Sequence, residues 1–95
     1  MRFKSVKRPS QLYRILSEVK NLDELEEVLN SLDGKFEVFR FKRGREYGWE
    51  VWWGRRKLFY IVVSGGRVAI YRVFKDTDYF PEVYGLKINE VVIGE

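Results

Sequence analysis

The stretch that decides the fold is residues 58–73, which read LFYIVVSGGRVAIYRV. Two runs rich in β-branched and aromatic residues flank Gly65-Gly66, and a Gly-Gly pair tolerates the positive φ angles that a two-residue hairpin turn requires. Pairing across that turn places Tyr60 opposite Tyr71. The stretch therefore predicts two antiparallel strands joined by a tight turn.

Outward from this hairpin, a period of two extends over the second half of the chain, beginning at Lys35. Turn-forming residues at 43–46 and 55–56 divide this region at regular intervals. The predicted strands are 35–42, 47–54, 57–64, 67–75 and a last candidate at 86–93, with residues 2–6 as a candidate edge strand. Connections this short predict an antiparallel meander.

The first third of the chain has a helical period instead. Leucine, isoleucine and valine recur at spacings of three and four through residues 10–33. Pro9 suits a first helical turn and Gly34 suits the position after the last one. Asn21 and Asp23 are good capping residues, so we expect two helices with a tight joint near Asn21. The predicted fold class is α+β, with two N-terminal helices packed on one face of an antiparallel four- to five-stranded meander sheet.

The composition restricts the chemistry of the protein. The length fits a single domain, residues 1–95, and the chain has no His and no Cys. Their absence excludes disulfides, thiolate zinc sites, cysteine nucleophiles and Ser-His-Asp arrangements. No Gly-rich phosphate loop or nucleophile elbow is present either, so we expect a protein that is not an enzyme and that holds no cofactor or metal.

The distribution of apolar and charged residues favours a cytoplasmic protein from a thermophile. The longest apolar run, residues 58–63, is too short to span a membrane, and no apolar segment follows the basic N-terminus. A chain without Cys, with a single Met and with 34% charged residues is typical of thermophilic proteins.

The net charge of +4 conceals blocks of opposite sign. Residues 1–20 carry +5, residues 21–34 carry −5, residues 35–75 carry +8 and residues 76–95 carry −4. The basic sheet segment is a candidate footprint for a polyanion. The alternative is a solvated surface with head-to-tail contacts between copies of the chain.

The predicted turns fix the strand register, and the register assigns each side chain to one face of the sheet. The first loop places Arg40 opposite Trp49, and the second turn places Val51 opposite Tyr60. The face expected to carry the helices collects mainly hydrocarbon side chains: Phe39, Phe41, Trp52, Phe59, Ile61, Val63, Val68, Ile70 and Phe74. The other face collects aromatic and cationic side chains: Arg40, Lys42, Tyr47, Trp49, Trp53, Tyr60 and Tyr71.

A row of Tyr and Trp interleaved with Arg and Lys is typical of single-stranded nucleic acid binding, because bases stack on the rings while cations contact phosphates. We therefore expect a single-stranded nucleic acid binding protein, with DNA favoured, low sequence specificity and a homodimeric or higher assembly. The predicted binding residues are Arg40, Lys42, Arg45, Tyr47, Trp49, Trp53, Arg55, Arg56, Tyr60 and Tyr71. The alternative is that a second subunit or the C-terminal segment buries this face, which would make the protein an interaction or dimerisation module.

Two helices folded over a basic, aromatic-rich antiparallel sheet, in a chain without Cys or His, resemble the ThermoDBP-type archaeal single-stranded-DNA-binding proteins and their shorter relatives. That resemblance implies that DNA lies in a basic cleft formed by the sheet and neighbouring elements, and that the protein is oligomeric. The positions that match are Arg40, Trp49, Trp53, Tyr60 and Tyr71.

A second resemblance is local. Residues 54–63 and 67–73 are similar to the sheet core of RelE/ParE-type toxins, some of which cleave ribosome-bound mRNA. It implies a metal-independent ribonuclease that uses Lys, Arg and Tyr side chains as acid, base and phosphate clamp, for which the nearest candidates are Arg72, Lys75 and Tyr79. The additional strand at 35–42 and the missing His-Arg pair after the last strand depart from that pattern.

Overall fold

The structure of the chain is a computed structural model that describes residues 5–74 and 85–93. Helix α1 spans Pro9–Glu18 and helix α2 spans Leu22–Leu29. The Asn21 side chain accepts a hydrogen bond of 2.8 Å from the backbone N–H of Glu24, which caps α2. The two helices and the joint between them are therefore confirmed. No helix in the described ranges has the length and apolar character needed to cross a membrane.

Within the described residues, five strands form one antiparallel sheet in chain order, which confirms the α+β meander. The strands are β1 Phe36–Arg43, β2 Glu46–Trp53, β3 Arg56–Ser64, β4 Arg67–Val73 and β5 Gly85–Val92. In place of the candidate strand at 2–6, Val6 forms a single parallel bridge to Leu32, and residues 2–4 lie outside the described ranges. Lys75, the expected end of β4, also lies outside them.

The register confirms two of the three predicted pairings. Arg40 lies opposite Trp49 in the first pair of strands, and Tyr60 lies opposite Tyr71 in the third. Between β2 and β3 the prediction is wrong by one residue, because Val51 lies opposite Phe59 and not Tyr60.

The error comes from two features of the β2–β3 hairpin, the position of its turn and a β-bulge. Gly54 has a φ of +65°, so it occupies the turn position that favours glycine. Trp53 then pairs with Arg56, which centres the turn on Gly54-Arg55 and not on Arg55-Arg56. This turn shifts the pairing by two residues from the prediction, and a β-bulge at Leu58 reduces the shift to one residue further along the strand.

The bulge decides which side chains share a face, since a slip of one residue moves every side chain of a strand to the other face. Buried Trp49 and Val51 pack in the same core as Phe59 and Ile61, beneath the helices. The predicted division of side chains between the two faces of the sheet is therefore wrong for β1 and β2. Five residues predicted away from the helices lie on the helix-bearing face: Arg40, Lys42, Tyr47, Trp49 and Trp53.

The opposite face, here called the outer face, holds a second and smaller cluster. Buried Tyr60 packs there with Val62, Val73 and the partly buried Phe41 and Tyr71. Phe39, Phe41 and Trp52, which were expected beneath the helices, belong to this outer face because they alternate with the core residues of β1 and β2. Phe59, Ile61, Val63, Val68 and Ile70 lie beneath the helices as predicted.

The helices are fixed to the sheet by apolar packing and by one side-chain amide. Leu12 and Leu16 of α1 and Leu25 and Val28 of α2 are buried against the sheet. The Asn89 side-chain amide of β5 donates hydrogen bonds to the carbonyl oxygens of Leu16, at 3.0 Å, and Val19, at 2.8 Å. These bonds satisfy carbonyl groups that the end of a helix leaves without intrahelical partners.

Candidate nucleic-acid interface

A groove lies between helix α2 and the ends of β1 and β2 that are joined by their connecting turn. Its main part has a volume of about 580 Å³, and an adjoining hollow has a volume of about 260 Å³. The two parts share Glu26, Arg40 and Trp49, so they form one depression, which we call the α2 groove. The residues that line it are Glu26, Leu29, Asn30, Arg40, Phe41, Lys42, Tyr47 and Trp49.

The β1–β2 register places cations and aromatic rings together in this groove. Arg40 lies opposite Trp49 and Lys42 lies opposite Tyr47, so the four side chains alternate across two adjacent strands on one face. Arg40 and Lys42 are both exposed, and exposed Arg45 follows in the turn at the end of the groove. This half of the predicted site is therefore one contiguous surface.

The two aromatic residues of the groove have different environments. Their ring centroids are 5.9 Å apart in an edge-to-face arrangement. Tyr47 is 37% exposed, whereas Trp49 is only 6% exposed and belongs to the core beneath the helices. Tyr47 therefore offers a ring on which a base can stack, and Trp49 forms the wall behind it.

Trp53, Arg55 and Arg56 lie at the other end of β2, away from the α2 groove. Arg56 is opposite Trp53, and the Nζ atom of Lys35 lies 5.3 Å from the centre of the Trp53 ring. Trp53 Nε1 is buried and has no hydrogen-bond partner among the described residues. Fully buried Val51 lies between this cluster and the groove, so the structure separates the two groups of predicted binding residues.

Tyr60 and Tyr71 lie on the outer face, so the sheet itself separates them from the α2 groove. Tyr60 is buried, with its ring 5.3 Å from Phe41 in a stacked arrangement and 6.1 Å from Tyr71. Arg43 Nη2 donates a hydrogen bond of 3.1 Å to the Tyr60 hydroxyl. The Tyr60 hydroxyl, and after it the Glu46 carboxylate, raises the pKa of the Arg43 guanidinium. Tyr60 is thus a packed residue of the outer face and not part of the exposed platform that was predicted.

Lys57, which directly follows the basic turn residues Arg55 and Arg56, is buried on the outer face. Its side chain is 2% exposed, and Nζ lies 3.3 Å from Glu50 Oε2 and 5.8 Å from the Trp52 ring centre. Trp52 Nε1 donates to the other carboxylate oxygen of Glu50 at 3.2 Å. Burying a lysine at this position requires such a partner, and the sequence pattern alone gives no indication of it.

Arg72, the described member of the expected ribonuclease trio, makes contacts within the sheet. Its Nη1 donates hydrogen bonds to the carbonyl oxygens of Val73, at 2.7 Å, and Leu58, at 3.3 Å. Its guanidinium carbon lies 5.6 Å from the centre of the Phe59 ring. Lys75 and Tyr79 lie outside the described residues.

Glu26 is the groove residue that the sequence did not single out. It lies on α2, which supplies four acidic residues at positions 23, 24, 26 and 27, and of these Glu26 lines both parts of the groove. A helical period gives the apolar side of a helix but not which strands it crosses, so the position of Glu26 beside Arg40 has no signal in the sequence. Within residues 5–74 and 85–93, no group of three or more acidic side chains is arranged to hold a metal ion.

Comparison of the chain with protein-family models, curated proteins and solved structures gave no match. The resemblances to ThermoDBP-type proteins and to RelE/ParE-type toxins therefore remain expectations from the sequence. The function has to be argued from the groove itself.

Proposed function

We propose that the protein binds single-stranded nucleic acid in the α2 groove. The observation that carries the proposal is the convergence of two exposed cations, Arg40 and Lys42, with the exposed ring of Tyr47 on one face of two paired strands. Cations that contact phosphates beside a ring that stacks on bases are the two elements that sequence-tolerant single-strand binding requires.

The proposal favours a single strand over a duplex because of the position of the Tyr47 ring. A base reaches a ring inside a groove only when it is unstacked from its neighbours, and a duplex keeps its bases stacked and paired. Base–aromatic stacking contributes about 1–3 kcal/mol per base, so one accessible ring supports weak binding that is repeated along a strand by several copies of the protein.

The cations have a spacing that suits a phosphate backbone. Arg40 and Lys42 are two residues apart on the same face of β1, which separates their Cα atoms by about 7 Å. Arg45 lies beyond them in the turn, so three cations follow one direction along the groove. Neutralising three phosphates of a single strand gives a slope of log K against log salt of about −2.

Glu26 gives the groove a polarity across its width. Its carboxylate lies on the α2 wall, and the cations lie on the β1 floor. The carboxylate repels a phosphate and the cations attract it. The backbone of the nucleic acid is therefore expected to follow β1, while its bases turn toward Tyr47 and α2.

The experiment that tests this function is a fluorescence-anisotropy titration of a labelled oligo(dT) at low salt. Tyr47→Ala is compared with Tyr13→Ala, because Tyr13 lies on α1 outside the groove and is exposed to the same extent, 38% against 37%. Loss of one stacked base predicts an affinity about 5- to 150-fold weaker for Tyr47→Ala, and Tyr13→Ala should bind like the wild type. No binding by the wild type at low salt, or equal losses in the two variants, would refute the proposal.

A further inference from the structure

The two edges of the sheet differ in regularity. The pairing of β5 with β4 contains a register shift between Ile70 and Tyr71, which makes a bulge at Ile88. The pairing of β1 with β2 runs through all eight residues of β1 without a shift. Bulges protect an edge strand from further pairing, whereas a long regular edge presents free N–H and C=O groups. Within the described ranges no strand pairs with the outer edge of β1.

An aromatic side chain on this edge is left half uncovered. Phe39 is 50% exposed, and its ring meets Trp52 of the neighbouring strand at 6.2 Å in an edge-to-face arrangement. At the edge of β1 away from β2, no described strand covers the Phe39 ring. An added strand at this edge would bury the remaining half of the ring.

We infer that β1 is a dimer interface, at which two copies of the chain pair their β1 strands antiparallel about a two-fold axis and join their sheets into one of ten strands. The inference does not rest on the proposed function, because it is argued from the edge alone. The second copy is the occupant that fits, because an identical strand can place a ring beside Phe39 and a cation beside Glu37.

The turn determines which backbone groups are available for this pairing. Arg43 and Glu46 close the two-residue turn, so the odd-numbered residues of β1 exchange hydrogen bonds with β2. The bond of 3.1 Å from the Gly54 N–H to the Lys35 carbonyl agrees with that pattern. The N–H and C=O groups of the even-numbered residues, Val38, Arg40 and Lys42, therefore point outward toward a second copy.

The side chains select one register. With the axis at Arg40, Phe39 lies opposite the partner's Phe41 and Glu37 lies opposite the partner's Arg43, and each of these contacts occurs twice. An axis at Phe39 would instead bring Lys35 opposite the partner's Arg43 twice and would leave Glu37 opposite the partner's Phe41. The axis at Arg40 makes one like-charge contact, between the two Arg40 side chains, against two contacts between opposite charges.

The axis at Arg40 also brings two guanidinium groups together on the helix-bearing face. Each of them lines its α2 groove together with a Glu26 carboxylate, so a negative charge in each groove weakens the repulsion between the two guanidinium groups. The α2 grooves of the two copies then lie side by side across the axis.

The absence of cysteine allows a direct test, because a single introduced cysteine forms a disulfide only between two chains. Arg40→Cys places two thiols on the axis, where Cα atoms of a hydrogen-bonded antiparallel pair are about 5.5 Å apart, within the usual disulfide range of about 4.4–6.8 Å. Lys42→Cys is the matched control, since its own counterpart lies four residues along the strand, about 13 Å away. Under mild oxidation, Arg40→Cys should become a covalent dimer at least ten times faster than Lys42→Cys.

A second measurement covers the case in which a cysteine variant folds poorly. Sedimentation equilibrium of the unmodified chain should give twice the monomer mass of 11.4 kDa. Phe39→Ser should raise the dimer dissociation constant at least tenfold, and Leu86→Ser, on the β5 edge and 51% exposed, should leave it unchanged. A monomeric wild type at about 100 μM, equal cross-linking of the two cysteine variants, or dissociation caused by Leu86→Ser would overturn the inference.

Discussion

Replacement of Trp49 by alanine distinguishes a core residue from an exposed stacking platform. The sequence pattern predicts a platform, for which truncation would leave stability almost unchanged. The structure places Trp49 under the helices with 6% of its surface exposed, together with Val51 and Phe59. We therefore expect Trp49→Ala to destabilise the fold strongly.

The magnitude follows from the buried area. A tryptophan side chain buries about 200 Å², and at about 25 cal/mol per Å² its removal costs up to about 5 kcal/mol. Measured truncations of buried Phe and Trp cost about 3–5 kcal/mol, so we expect about 4 kcal/mol for Trp49→Ala. A domain of 95 residues has a total unfolding free energy of about 5–14 kcal/mol, so the variant loses more than a quarter of it.

Urea denaturation followed by far-UV circular dichroism measures this loss without relying on the fluorescence of the residue removed. Tyr47→Ala is the matched variant, because Tyr47 lies beside Trp49 on the same face but is 37% exposed. It should lose less than about 1.5 kcal/mol. Equal losses of stability in the two variants would refute the placement of Trp49 in the core beneath the helices.

Three further predictions follow from single contacts. Gly48→Ala should lose at least about 2 kcal/mol in the same denaturation assay, since a Cβ there would clash with the Ile61 carbonyl oxygen and the Phe41 ring, and wild-type stability would contradict this. Asn89→Ala should lose about 1–3 kcal/mol, because two carbonyl groups at the end of α1 lose their donor, and faster amide exchange in α1 should accompany the loss. Glu26→Gln should bind oligo(dT) about two- to threefold more tightly at low salt, because a carboxylate and a phosphate about 7 Å apart in water repel each other by about 0.6 kcal/mol. Weaker binding of this variant in anisotropy titrations would count against the polarity of the groove.

The parts of the fold that the sequence predicted correctly have local signals. Gly65-Gly66 specifies its hairpin through positive φ angles, which are 59° and 77° in the structure. The joint between the helices has Asn21 as its capping residue. These features depend on a few neighbouring residues, so sequence reasoning is sufficient for them.

The bulge at Leu58 is not a local feature of that kind. A turn at Gly54-Arg55 and a turn at Arg55-Arg56 differ by two residues in register, so either one alone would place Val51 on the same face as Tyr60. The extra residue at Leu58 is what lets Trp49 and Val51 join Phe59 and Ile61 in one core. Because the bulge depends on this tertiary packing and not on a turn signal, the sequence pattern alone placed the side chains of β1 and β2 on the wrong faces of the sheet.

The candidate site was predictable to the extent that it depends on one hairpin. Arg40, Lys42, Tyr47 and Trp49 share a face because the turn between β1 and β2 sets their register, and that register was predicted correctly. The separation of Tyr60 from this group depends on the bulge, and the position of Glu26 depends on how α2 crosses the sheet. Neither is encoded in a short stretch of residues.

The proposal that the α2 groove binds single-stranded nucleic acid is tested most directly by mapping amide chemical-shift changes on the isotope-labelled protein as unlabelled oligo(dT) is added at low salt. The account predicts that the largest changes fall on residues 40–47 and on the C-terminal half of α2, and that they reverse as salt is raised. Changes centred on residues 53–56 or on Tyr60 and Tyr71, or the absence of any change, would contradict it.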